Sequence, residues 1–304
     1  MPEYPDIELY RECLTSRIVG DRLVNVRIHG PSLLRTVEPK LADAFGREVL
    51  RVHRLGKRIA IELEDELFLI IHLMIAGRFQ WKKPGVKVSR RVHAVFEFSD
   101  GWLILTEAGT KKRASLHVVR GEAEFRALDP GGLEVFECNL AAFAEVLQRE
   151  NHTLKRCLTD PHLFSGIGNA YSDEILHRAR LSPIKLSQRM EMEEIDALFR
   201  ATREVLSEWL DRLRDEAGER FPEKVTAFHA QMAVHGRYRE PCPECDAPIQ
   251  RIVRGDHETN YCANCQNQGR VLADRALSKL LKKDWPRSLE ELELRGMGGR
   301  NDRS

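Results

Sequence analysis

The sequence predicts an α+β fold in which a β-rich unit precedes a helical one. Large apolar residues alternate with others at Ile59, Ile61 and Leu63, a period of two that is typical of strands. Beyond residue 132 the apolar residues recur at a helical period instead, most clearly over 195–213. Because 304 residues exceed one average domain, we expect two or three units.

The elements follow in order along the chain. A helix is predicted over residues 4–17, although the pattern does not fix its end, and short strands follow over about 22–120. Several such strands favour a sandwich or a barrel-like β domain. The run from Asp129 to Gly132 (DPGG) then interrupts the chain. In LFSGIGNAYSDEIL, two glycines and Asn169 separate two helical stretches, which predicts a helix–turn–helix.

Composition narrows the class of protein. The hydrophobic share of 42% and the charged share of 31% are those of an ordinary globular protein. There is no long apolar run and no leader pattern at the start, so we expect a cytoplasmic protein without a membrane segment, associated with the nucleoid if it is bacterial. The net charge of +1 does not indicate nucleic-acid binding, but basic residues cluster near 47–58, 82–91, 111–113 and after 269.

The seven cysteines fall into two groups. Three are scattered along the chain and fit small buried apolar positions: Cys13, Cys138 and Cys157. The other four form the pattern C-x2-C-x16-C-x2-C: Cys242, Cys245, Cys262 and Cys265. In a cytoplasmic chain each C-x2-C turn directs two thiolates at one ion, so this spacing predicts a single structural zinc.

Three features occur together in one order: an N-terminal Met-Pro-Glu, the GIGN turn and the four-cysteine finger. In this combination the chain resembles the formamidopyrimidine-DNA glycosylase / endonuclease VIII family over about residues 1–269. The resemblance implies an N-terminal β-sandwich over 1–130, a helical domain with a helix-two-turn-helix over 131–235, and a β-hairpin zinc finger over 236–269. Residues 270–304 extend beyond the usual end of the family as a basic segment, which we expect to contact DNA or to cap the finger.

The resemblance also implies an enzyme that removes damaged bases from DNA and cleaves the abasic site. Removal of Met1 leaves Pro2 with a secondary amine, which titrates nearer neutrality than lysine and is therefore a useful nucleophile. Glu3 is the proposed proton carrier beside it. Lys57 matches a family lysine on an early strand that stabilises the sugar-phosphate. Asp6 stands where the family has a glutamate, so a carboxylate is kept but is one methylene shorter.

Further positions match family contacts to DNA. Lys155 and Asn169 correspond to residues that hold phosphates around the lesion. Because the base must leave the stack before Pro2 reaches it, a side chain has to fill the hole, and either Met74 or Ile75 is placed to do so.

Two family elements are changed. The usual Arg-Arg-Phe-Gly run is absent, and Thr110-Lys111-Lys112-Arg113 stands in its place, which makes Arg113 the candidate contact. In the finger the family arginine falls on His257, with Arg251 and Arg254 as possible substitutes. Both changes alter groups that would meet DNA, so they leave the preferred lesion and strand form open.

Two other functions remain open. A catalytically weakened protein that binds abasic, single-stranded or branched DNA is favoured by His257 and by the missing Arg-Phe element. Intact Pro2, Glu3 and Lys57 argue against it, since a binder needs no terminal amine. A zinc-ribbon RNA-binding protein leaves Met-Pro-Glu unexplained. We expect a monomer that acts on damaged DNA, on abasic sites and oxidised pyrimidines more readily than on 8-oxoguanine.

Overall fold

The computed structural model describes residues 1–88, 92–108, 111–223, 229–255, 257–273 and 286–294. The chain divides into two compact units, one formed by residues 1–132 with 207–227 and the other by 133–206 with 228–304. Across the described ranges, none of the helices combines the length and apolar character that crossing a membrane requires.

The first unit contains one long helix and two antiparallel sheets. Helix α1 spans Tyr4–Ile18, one residue beyond the predicted end. One sheet has the order β1-β6-β7-β5 and the other β2-β3-β4-β8. The strands are β1 Asn25–Ile28, β2 Val49–Leu55, β3 Arg58–Leu63, β4 Leu67–His72, β5 Gly77–Lys82, β6 Val92–Glu97, β7 Trp102–Glu107 and β8 Ser115–Arg120. A 3-10 turn at Leu41–Ala44 and a short helix α2 at Glu122–Ala127 complete it.

The core of this unit follows from the alternation in its strands. Ile59, Ile61 and Leu63 are fully buried in one cluster with residues of the other sheet and with Ile7 and Tyr10 of α1. The two sheets therefore enclose a common apolar layer, which confirms the β-sandwich. In β4 both faces are buried, because Phe68 and Ile70, on the face away from this core, are covered by Phe125 of α2 and by Leu128.

The second unit is helical, with a small hairpin. Its helices are α3 Leu140–Gln148, α4 Leu154–Thr159, α5 Asn169–Arg178, a 3-10 turn Ser187–Arg189, and α7 Ala263–Asn267. Helix α6, Met192–Ala217, contributes residues to both units. Strands β9 Gln250–Arg254 and β10 His257–Tyr261 pair antiparallel. The predicted helix–turn–helix is α4 and α5, and Gly166 in its turn adopts a φ of +79°, a conformation that favours glycine.

The chain beyond residue 269 folds back on the hairpin. We call residues 270–273 and 286–294 the C-terminal clasp. The Val271 N–H donates to the carbonyl of Arg287 at 3.0 Å, and the Leu272 N–H donates to the Tyr261 hydroxyl at 2.7 Å. A short helix α8, Leu289–Leu294, follows, and its Leu289 packs against two apolar clusters of the finger. Of the two roles expected for the extension, the described part performs the cap; Trp285 lies outside the described residues.

Candidate functional site

The amino end of α1 gathers the predicted catalytic carboxylates. Pro2 is buried, and so are Glu3 and Asp6, which are only 2% and 1% exposed. The Glu3 backbone N–H donates to Asp6 Oδ2 at 2.8 Å, because Glu3 is the residue before the helix and Asp6 is its third. This bond fixes the direction in which the chain enters the helix, and it therefore fixes the position of Pro2.

The environment of the terminal amine favours its neutral form. In the full chain that amine belongs to Met1, and burial lowers its pKa, with Glu3 opposing the shift and Arg78 and Lys57 adding to it. The same point carries the positive end of the α1 dipole, which also disfavours a cation. While Met1 is present the Pro2 nitrogen is an amide; once Met1 is removed, a secondary amine occupies this region.

Burial also changes the protonation of Asp6. Burial raises its pKa from the ordinary 3.8 to about 7, although the Glu3 N–H lowers it in part. Its second oxygen, Oδ1, is buried and has no hydrogen-bond partner among the described residues. A carboxyl of this kind holds a proton near neutrality, which suits a group that donates or accepts one.

Lys57 lies in a turn and not on a strand, which corrects the sequence-based assignment. Leu55 pairs with Arg58, so Gly56 and Lys57 form the two-residue connection between β2 and β3. Gly56 adopts a φ of +60°, as such tight turns require. Burial lowers the pKa of Lys57, and the charge of Glu3 opposes that shift. The turn thus brings the ammonium into the electrostatic surroundings of Glu3.

The loop after β4 separates the two candidate wedge residues. Ile75 is 57% exposed, whereas Met74 is half-buried and has a φ of +53°, uncommon for a side chain of its size. The Met74 N–H donates to Nδ1 of His72 at 2.9 Å, which supports this backbone. Of the two, Ile75 is the residue whose side chain is open to solvent.

Sequence reasoning missed His72. Burial first, then the charges of Arg58 and Lys57, lower its pKa to about 4, so the ring is neutral at physiological pH. Its Nδ1 accepts the Met74 N–H, and the ring proton therefore sits on Nε2. The signal in the sequence was a single polar residue that ends the apolar run FLII.

The loop that carries Arg113 is braced from beneath. The backbone N–H groups of Arg113 and Ala114 donate to the carboxylate of Glu107, at 2.9 and 3.3 Å. Glu107 is 1% exposed and also lies 3.4 Å from the Nε2 of His93. Arg113 itself is exposed, so the loop presents a cation on a supported backbone; Thr110, at its start, lies outside the described residues.

In the second unit, Lys155 and Asn169 are joined to each other. Lys155 Nζ donates to the Asn169 carbonyl at 2.6 Å and lies 2.5 Å from Asp173 Oδ1. The side-chain amide of Asn169, the first residue of α5, donates to the carbonyl of Glu258 in β10 at 2.8 Å. Lys155 therefore links α4 to α5, and Asn169 links α5 to the hairpin.

Glu174 has a structural role in α5. Its carboxylate accepts the backbone N–H groups of Ala233, Val234 and His235, at 2.7, 2.9 and 2.9 Å. One buried side chain thus satisfies three backbone amides at the entry to the finger.

The four cysteines converge as predicted. Their sulfur atoms all lie within 4.8 Å of one another. Cys242 and Cys265 are 3.9 Å apart, Cys245 and Cys262 are 3.4 Å apart, and Cys245 and Cys265 are 3.5 Å apart. A zinc ion bound to four tetrahedral sulfurs requires separations of about 3.8 Å. These residues therefore fit one structural zinc.

The finger carries its candidate DNA contacts on the hairpin. The guanidinium of Arg251 lies 4.2 Å from the centre of the Tyr238 ring and 3.2 Å from a carboxylate oxygen of Glu258. Arg254 is exposed and pairs across the ladder with His257, whose side chain lies outside the described part of the chain. Arg251 is thus held in place, while Arg254 is open to solvent.

Comparison with known proteins agrees with this arrangement. Three family models match: the formamidopyrimidine-DNA glycosylase N-terminal domain over residues 1–111, the H2TH domain of the same family over 129–217, and the zinc finger found in FPG and IleRS over 239–268. The last match ends just before the C-terminal clasp.

Similar whole proteins are also known. The formamidopyrimidine-DNA glycosylase of Heliobacterium modesticaldum is 31% identical over 281 residues, 88% of this chain and 100% of that protein. The enzyme of the same name from Rickettsia conorii is 28% identical over 274 residues, 88% and 99% of the two chains. Among solved structures, Lactococcus lactis Fpg with abasic-site DNA superposes with a TM-score of 0.77 at 24% identity, covering 87% of this chain and 99% of that one. MutM in complex with DNA that contains carbocyclic 8-oxo-G superposes with a TM-score of 0.76 at 25% identity, covering 88% and 100%.

Proposed function

This chain belongs to the formamidopyrimidine-DNA glycosylase family, and from that premise we propose that it excises damaged bases through Pro2 and then cleaves the abasic site. One observation carries the proposal: the amino end of α1 buries Pro2 beside Glu3 and Asp6, within electrostatic reach of Lys57. Formation of an iminium at a sugar carbon needs a nucleophilic amine with proton donors and acceptors beside it, and this buried site supplies a terminal amine next to two carboxyls.

The reaction runs in two stages. The Pro2 nitrogen, freed by removal of Met1, bonds to C1′ of the deoxyribose as the bond to the base breaks. The base leaves with the bonding electrons and takes a proton from an acid, for which Glu3 is the candidate. The amine loses its N–H proton, the C1′–O4′ bond opens, and O4′ takes a proton. The resulting iminium needs no further activation to be electrophilic.

Strand cleavage follows from the iminium. Its positive charge acidifies the hydrogens on C2′, so a carboxylate removes one of them as a proton. The electrons of that C–H bond form the C2′–C3′ double bond and expel the 3′ phosphate. Asp6, whose pKa is about 7, is suited to such transfers near neutrality. Lys57 would stabilise the phosphate charge nearby.

Contacts that position DNA are proposed for side chains in both units. In the first, Ile75 would fill the space left by the extruded base, since it is 57% exposed, and Arg113 would approach the opposite strand. In the second, Asn169, Arg254 and His257 would meet phosphates. Such contacts hold the register of the protein on DNA without reading its sequence.

Borohydride trapping on an abasic-site duplex tests the proposal. Reduction should yield a covalent protein–DNA adduct with the wild type, provided mass spectrometry shows that Met1 has been removed. The Pro2→Gly variant should give none, while Pro84→Gly, a change at an exposed turn, should trap like the wild type. If the wild type has lost Met1 and binds the duplex but gives no adduct, the enzymatic proposal is wrong. The alternative of a catalytically weakened DNA-binding protein would then stand.

Substrate and assembly have their own tests. A panel of duplexes with oxidised pyrimidines, formamidopyrimidines or 8-oxoguanine, in double-stranded and bubble contexts, would rank lesions by single-turnover rate. We propose that the chain acts as a monomer, since one chain carries both the nucleophile and the finger. Light scattering of the free protein and of its DNA complex measures this.

A further inference from the structure

Helix α5 contains a histidine next to a zinc ligand. His177 is 6% exposed, and its Nε2 lies 3.3 Å from the Sγ of Cys242. The two residues are 65 positions apart in sequence, so the contact joins the helix–turn–helix to the finger. His177 is not one of the four converging cysteine ligands, which already satisfy a tetrahedral ion.

The chemistry of the sulfur sets the direction of the bond. A cysteine bound to zinc is a thiolate and has no proton to give. The hydrogen in this contact must therefore come from Nε2 of His177, which donates to the sulfur as a neutral imidazole can. A donor of this kind draws electron density from the thiolate and fixes the side chain that bears it.

We propose that His177 is a positioning residue for the zinc site and couples the finger to α5. Three other contacts along the same helix reach the finger region. Asn169 at its start bonds to the Glu258 carbonyl at 2.8 Å, Asp173 accepts the Asn260 N–H at 3.1 Å, and Glu174 binds the segment that leads into the finger. His177, near the end of the helix, is the one that touches the metal ligand itself.

This coupling has a consequence at the other end of α5. The helix that fixes the Cys242 thiolate begins at Asn169, a predicted phosphate ligand. Loss of zinc would therefore loosen the finger that α5 holds at both ends, through His177 near its carboxyl end and through Asn169 at its start. The proposal depends on the zinc site and does not need the reaction at Pro2, so its failure would leave the enzymatic proposal untouched.

Cobalt(II) in place of zinc provides a direct readout, because its sulfur-to-metal charge-transfer band reports the electron density of the thiolates. In the intact protein, His177→Phe removes the donor and keeps an aromatic ring. We expect this band to move to longer wavelength, since a thiolate without its hydrogen bond gives up electrons more easily. We also expect zinc to transfer to a coloured chelator about tenfold faster or more.

Two further variants separate hydrogen bonding from packing. His177→Gln retains an N–H donor and should restore the band position and most of the slow zinc release. His152→Phe changes a histidine that lies 2.7 Å from Glu150 instead, and it should behave like the wild type. Thermal unfolding of each zinc-loaded variant checks folding.

Three results would overturn the proposal. One is an unshifted band with wild-type zinc release in His177→Phe. Another is an equal shift in the Phe and Gln variants, which would assign the effect to packing. The third applies if His177→Phe does not fold, so that the Gln variant decides alone. A shifted band in a His177→Gln variant that folds like the wild type would then count against the hydrogen bond.

Discussion

The ammonium of Lys155 is 2.5 Å from Asp173 Oδ1 and 2.6 Å from the carbonyl of Asn169. Asp173 is 1% exposed, and it also accepts from His235 Nδ1 at 2.7 Å and from the Asn260 N–H at 3.1 Å. Lys155 is therefore part of a buried network that sets the start of α5. Its influence on DNA would pass through the position of Asn169.

Replacing Lys155 with Met should destabilise the protein by about 3–5 kcal/mol, because it leaves the Asp173 carboxylate buried without its cation. Urea unfolding measures this. Lys185→Met is the matched control, since the Lys185–Glu194 pair is about 30% exposed and should contribute less than about 1 kcal/mol. Equal losses of stability in the two variants would contradict the network. The double variant Lys155→Met with Asp173→Asn should recover much of the stability lost in Lys155→Met, because it removes the buried charge as well.

Stability should fall as pH rises through the range in which Asp6 loses its proton. Burial raises the pKa of Asp6 from 3.8 to about 7, so between these values the folded protein holds a proton that the unfolded chain has released. That proton uptake favours folding at low pH. The free energy of unfolding therefore decreases by at most about 4 kcal/mol as the pH rises from about 4 to about 7.

The Asp6→Asn variant removes this dependence. Its stability relative to the wild type should increase steadily from about pH 4 to about pH 7 and then level off. Urea unfolding at several pH values gives the curve, and Asp100→Asn, a change at an exposed turn, should run parallel to the wild type. If Asp6→Asn also ran parallel to the wild type, the pKa of Asp6 would not be raised in the folded state.

Ile75→Ala should weaken binding to lesion-containing DNA by about tenfold, the loss expected when a branched apolar side chain no longer fills a gap. Its stability should change by less than about 0.5 kcal/mol, since Ile75 is 57% exposed. Met74→Ala should do the reverse, with lower stability and nearly unchanged affinity. Fluorescence anisotropy and thermal unfolding together test the pair. A larger loss of affinity in Met74→Ala would identify Met74 as the wedge.

Leu289→Ala should destabilise the finger by about 2 kcal/mol, because Leu289 packs on both apolar cores beside the hairpin. Leu294, in the same helix but 87% exposed, supplies the control, and its change to Ala should be nearly neutral. Hydrogen exchange of residues 250–254 localises the effect. Unchanged exchange in Leu289→Ala would show that the C-terminal clasp does not support the finger.

Local patterns predicted most of the fold. The period-two runs located the sandwich strands, and the cysteine spacing located the zinc site, because both are set by neighbours in sequence. Lys57 was assigned to a strand from its match to a family lysine, and the alternation of Ile59, Ile61 and Leu63 does not reveal the two-residue turn that precedes Arg58. His72 was missed because its partner, the Met74 N–H, is a backbone group that no side-chain pattern reveals.

Contacts between distant segments could not be predicted in this way. The bond from Asn169 to Glu258 spans 89 positions, and the one from His177 to Cys242 spans 65. Nothing near either residue specifies its partner, since only the packing of α5 against distant segments of the finger brings them together. Residue type likewise does not distinguish the exposed Ile75 from the half-buried Met74.

The C-terminal clasp also limits how far the chain can be shortened, because its Leu289 packs against two apolar clusters of the finger. A premature stop codon near residue 285 would spare each proposed DNA contact and each cysteine, yet the product would have a finger that lacks Leu289.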